Sequence, residues 1–81
     1  MTGGKQRVAA LAPQVGDRVG PWRVVDRLIA WDDEDEGWSL DVWAIGADGD
    51  EGWTRVVILA PMLDEPQAAA YLEIVLEETL G

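Results

Sequence analysis

The side chains that most often carry chemistry are nearly absent from this sequence. It has no His and no Cys, Ser39 is its only Ser and Lys5 its only Lys. A Ser or Cys nucleophile with a His base therefore cannot be assembled. There is no thiolate to hold zinc and no disulfide to staple the chain. The reactive groups in supply are carboxylates, sixteen Asp and Glu in 81 residues. Paired carboxylates can do acid–base work, but only where burial or a neighbour shifts one of them. Here most of them fall in loop-like runs open to water. No catalytic residue is expected, and the chain reads as non-enzymatic.

Carboxylate runs also raise the question of a hard cation. Asp32-Asp33-Glu34-Asp35-Glu36 and Asp48-Gly49-Asp50-Glu51 offer the oxygen ligands that Ca²⁺ prefers. The spacing fails the EF-hand test: Gly37 falls where the loop glycine belongs, but Trp43 occupies the position of the closing Glu. Asp and Gly are also favoured in solvated turns for local backbone reasons. Gly3-Gly4-Lys5 lacks the spacing and the Ser/Thr of a phosphate-cradling loop. No metal site and no cofactor are expected.

The net charge is −10, and it is unevenly placed. Residues 1–27 carry five cations against two carboxylates, a net of +3. Residues 28–81 carry Arg55 alone against fourteen carboxylates, a net of −13. The acidic part also holds four of the five Trp and most of the Val, Leu and Ile, so it has the composition of a core. The charge is expected on a folded surface. Such a surface repels a phosphate backbone, so direct nucleic-acid binding is disfavoured and a basic protein is the expected partner.

The elements that must position these groups follow from periodicity. Three strands are expected, at Trp22 to Trp31, Trp38 to Ala47 and Trp53 to Ala60. The second alternates cleanly, with Trp38, Leu40, Val42 and Ala44 on one face. The connections, Asp32 to Gly37 and Gly46 to Gly52, are short and Gly-bearing, which favours antiparallel neighbours. Asp64 has the character of a helix N-cap, with Gln67 as its capping-box partner and Pro66 in the first turn. Ala68, Leu72, Val75 and Leu76 then recur at helical spacing. The expected fold is α+β: a three-stranded antiparallel meander with one C-terminal helix on one face, in the order β-β-β-α. Residues 1–14 read as a flexible leader and 15–81 as a single domain. A fourth, edge strand at Val15 to Val19, or a small barrel, is the alternative.

Several features give the charge a purpose beyond solubility. Five consecutive carboxylates repel one another in a domain with a thin stability margin. Glu73, Glu77 and Glu78 sit toward the helix C-terminus, where the dipole disfavours anions. The five Trp exceed what one small core needs. If Trp22, Trp38 and Trp53 pack under the helix, Trp31 and Trp43 fall on the other strand faces. An outward Trp among carboxylates has the character of a binding hot spot. The expected partner-binding set is Asp32, Asp33, Glu34, Asp35, Glu36, Asp41, Asp48, Asp50 and Glu51 for charge, with Trp31 or Trp43 as apolar anchor. The two acidic loops should lie at opposite ends of the second strand, ~25–30 Å apart at ~3.3 Å per residue.

In size, charge and lack of catalytic residues, the whole chain resembles the small acidic phage-type inhibitors, such as DNA mimics and anti-CRISPR proteins. The resemblance is one of general character and transfers no residue roles. It implies a protein that occludes a basic nucleic-acid-binding surface on its partner. A homodimeric or homo-oligomeric assembly module, and an acidic antidote to a basic toxin, are the competing expectations. No run of ~18 apolar residues offers a membrane span, so a cytoplasmic location without membrane contact is expected.

Overall fold

The computed structural model describes residues 3–80; Met1, Thr2 and Gly81, including the first two residues of the expected leader, lie outside them. The order is α1 (Gly3–Leu11), β1 (Arg18–Val19), β2 (Trp22–Asp32), β3 (Gly37–Ile45), β4 (Glu51–Leu59), a 3₁₀ segment (Ala60–Asp64) and α2 (Ala68–Leu80). The four strands form one antiparallel meander, β1-β2-β3-β4, and both helices pack on the same face of it. The α+β class, the antiparallel sheet and the C-terminal helix are as expected. The sheet has four strands rather than three, and there are two helices rather than one.

The extra strand is short. Gly20, at φ +57°, turns the chain so that Val19 pairs with Trp22 and Arg18 with Arg23. Val19 is buried beneath α2, which rewards closing this small hairpin.

The second correction is α1, in a stretch expected to be mobile. Gly3-Gly4 suggested flexibility, yet Gly4 is a point of close approach. A Cβ there would come within 2.7 Å of the Trp38 indole. Val8 is fully buried. Arg27, on β2, donates to the carbonyls of Ala9 (3.0 Å) and Pro13 (3.2 Å) and so caps the end of α1. Arg7 donates to Leu63 O (2.9 Å) and pairs with Asp64. These contacts come from distant parts of the chain, so the local sequence could not announce the helix.

Asp64 is therefore not the cap of α2. The helix begins at Ala68, led in by extended Glu65 and by Pro66, with Ala68 N–H bonding Glu65 O at 3.1 Å. Leu72, Leu76 and Leu80 form its buried stripe, while Tyr71 and Ile74 are exposed. The stripe meets Leu40, Val42, Ala44 and Ile58 of the sheet in one core.

A register shift in β2 between Val24 and Asp26 decides which Trp goes where. Val24 faces Ala44, whereas Arg27 faces Val42 and Trp31 faces Trp38. The bulged residue, Val25, reverses the phase of everything after it. Trp31 consequently lies on the helix-covered side, edge-on to Trp38 with ring centroids 5.3 Å apart. That corrects the expectation of an outward Trp31 opposite Trp38. Trp53 pairs with Trp43 and lies on the uncovered side, not under the helix.

Candidate functional site: the uncovered face of the sheet

No described residue covers the second face of the sheet. Its strands still follow alternation, so it presents what the core does not use: Arg23, Asp26, Leu28 and Ala30 from β2, Ser39, Asp41, Trp43 and Ile45 from β3, and Trp53, Arg55, Val57 and Leu59 from β4. Leu28 is 56% exposed and Trp53 50%, and Val25 and Leu59 are exposed as well. A lone exposed apolar residue is ordinary, but a contiguous set on one face marks an interaction surface. Trp43, Trp53, Ile45 and Val25 frame a shallow open cleft, with Glu51 on its border.

The middle of this face is polar. Arg55 donates from Nε to Asp41 Oδ1 at 2.7 Å and from Nη2 to Oδ2 at 3.0 Å, a bidentate pair. Asp41 is only 4% exposed, while the guanidinium lies outward and 5.7 Å from the Trp53 ring centroid. The hydrogen bond to Asp41, and then its charge, hold the Arg55 pKa above the ordinary guanidinium value. Asp41 is thus neutralised from within and is not a free carboxylate.

The other carboxylates frame the face. Asp32 closes the β2–β3 turn, its Oδ1 accepting the N–H groups of Glu34 (2.9 Å) and Asp35 (3.3 Å). Asp33, Glu34, Asp35 and Glu36 project from that turn, where Glu36 takes φ +51°. Asp33 Oδ1 accepts the Trp31 indole N–H at 2.6 Å, tying the turn to the Trp31–Trp38 pair. At the other end of β3, Gly46 to Asp50 close the second turn, with Asp48 and Asp50 exposed and Glu51 opening β4. The eight steps of β3 span ~26 Å at ~3.3 Å per residue, so the two acidic turns stand apart.

The structure therefore brings Trp43 and Asp41 to the centre of the open face. It places the acidic turns at its two ends and removes Trp31 to the covered side. Sequence reasoning missed Leu28, Trp53, Arg55, Val57 and Leu59. A signal for some of them existed. In a β-hairpin, residues equidistant from the turn face each other. Trp43 and Trp53 are each five residues from Asp48, and Asp41 and Arg55 each seven. Leu28 carried no such signal, because the bulge in β2 sets its face.

Another concavity, between the end of α1, β1 and α2, is a wide groove lined by small side chains with Asp17, Arg18 and Glu73 at its border. No family model matches the chain, and no curated protein or solved structure matches it either.

Proposed function

We propose that this protein is a non-enzymatic acidic binding module, acting in the cytoplasm, that docks through its uncovered sheet face. Its partner is a protein with an apolar centre and a basic rim, and docking occludes a basic surface that would otherwise hold nucleic acid. The observation that carries this is the surface of exposed Trp53 and Leu28 around half-buried Trp43, with an acidic turn at each end. An apolar anchor ringed by charge is the anatomy of a protein-binding hot spot, and the charge steers a cationic partner toward it. The strands alone offer a footprint of roughly 25 by 15 Å, well short of the ~800 Å² per partner of a standard interface. An interface of ordinary size must therefore extend onto the flanking turns, where the carboxylates are. Pairing of this face with a copy of itself would bring acidic turns against acidic turns, which disfavours the assembly-module reading. An antidote to a basic toxin asks for the same surface, and the captured partner distinguishes the two.

The test is affinity capture with three baits: the native chain, Trp53→Ala, and a quadruple variant with Asp33→Asn, Glu34→Gln, Asp35→Asn and Glu36→Gln. The native chain should capture a basic nucleic-acid-binding protein that added duplex DNA displaces. Capture should fall for both variants and vanish in about 1 M salt, where the Debye length is about 3 Å. Capture indifferent to both variants, or a Trp53-dependent dimer that persists in that salt, overturns the proposal.

A further inference from the structure

The two edges of the sheet are built differently. On one, β1 pairs with Trp22 and Arg23 alone, Val24 bonds Gly16 and Asp17, and the bulge at Val25 breaks the regular run of β2 beyond them. β4 forms the other edge with nine residues, contains no Pro and keeps an unbroken register with β3 from Glu51 to Leu59. Among the described residues, no backbone group pairs with its outer side. Natural sheets blunt such an edge with Pro, a bulge or charged side chains; within β4 only Glu51 and Arg55 serve, and the Arg55 guanidinium is held by Asp41. The bond from Gly46 N–H to Asp50 O (2.8 Å) sets the ladder alternation. By that alternation the amides and carbonyls of Trp53, Arg55, Val57 and Leu59 point outward.

Beside the last four residues of β4 lies an apolar cleft of about 180 Å³. Its far wall is the flank of α2 that carries Ala68, Tyr71 and Val75, and Met62 closes one end. A strand laid along β4 would place alternate side chains in this cleft and cover exposed Tyr71. Carboxylates stand at both ends of the track. Glu51 opens β4, Glu78 follows Val75 by three residues on the same flank of α2, and Glu65 precedes the helix. A second copy of the chain fits poorly. Full antiparallel overlap of two β4 strands puts Arg55 opposite Arg55 and adds −10 to −10.

We infer that β4 and α2 form a second binding site, bordering the open face along β4, for an extended segment of a partner chain that is apolar at alternate positions and flanked by Lys or Arg. The segment adds as a fifth strand to the sheet.

The test is selection of a displayed library of random decapeptides on the full chain, followed by amide hydrogen exchange with a selected peptide bound. The expected peptides alternate apolar residues between basic ends. They slow exchange at the Arg55 and Val57 amides by about tenfold or more, as new ladder bonds require. Tyr71→Gln, a charge-neutral change at an exposed helix position, should weaken them by about tenfold, roughly the value of one lost contact of this kind. Any of three results overturns the inference: no enriched peptides, peptides that bind Tyr71→Gln equally well, or Arg55 and Val57 amides already protected in a chain of twice the monomer mass.

Discussion

Arg55 is the single cation after residue 27, and it is spent on Asp41. Burying a carboxylate is costly unless a partner satisfies it, and breaking such a pair from one side is worse than removing it whole. Arg55→Leu should therefore lower the urea midpoint more than the double change Asp41→Leu/Arg55→Leu, in which no anion is left buried. The opposite order would show that Asp41 does not depend on its partner. Acid or alkali should not act through the arginine. A raised cation pKa stabilises the fold at every pH below the guanidinium's ordinary value. That contribution fades only as pH climbs through the still higher folded value, beyond the range in which proteins survive. Glu36 is a second residue with a definite consequence. Its φ of +51° is a conformation that suits Gly, and it sits among four other carboxylates. Glu36→Gly should stabilise the protein by roughly 1 kcal/mol, read as a higher melting temperature.

The bulge in β2 acts over the whole element. Val24 and Arg27 both face the helices only because Val25 is extra. Deleting Val25 leaves Val24 and Asp26 as ordinary neighbours and preserves the faces on either side. Deleting Leu28 instead reverses every residue on one side of the gap and drives apolar groups out of the core. The Val25 deletion should still unfold cooperatively, whereas the Leu28 deletion should give no cooperative thermal transition. Circular dichroism melting of the two proteins separates these outcomes. Of the helices, α2 follows its own periodicity, and α1 owes its place to Val8, Arg27 and the gap above Trp38 that Gly4 fills. The same contacts place α1 within the domain core rather than in a leader outside it.

Across the molecule, charge and packing oppose each other. The sixteen carboxylates form few ion pairs with cations among the described residues, those of Arg55–Asp41 and Arg7–Asp64. The remainder repel one another across a small body. Added salt should therefore raise the melting temperature steadily up to about 1 M, where screening at ~3 Å separates even adjacent turns. A flat or falling response would mean that repulsion is not what limits stability. The same salt should weaken the proposed heterologous docking, so stability and binding should move in opposite directions.

The sequence alone determined what is counted and what is local. The absence of His and Cys, the split of charge near residue 27, the alternation of β3 and the stripe of α2 are properties of neighbouring residues. They survive whatever the rest of the chain does. The symmetry of Trp43 with Trp53 and of Asp41 with Arg55 about Asp48 was also there to be read, because a hairpin fixes its register through its turn. Tertiary structure decided the rest. A bulge exists only relative to a partner strand, so the side on which Trp31 and Leu28 emerge could not follow from alternation within β2. A helix as weakly patterned as α1 forms because distant groups bury Val8 and cap its carbonyls. The value of a carboxylate depends on what faces it, which is why Asp41 reads as free charge in the sequence and is a buried, paired group in the fold.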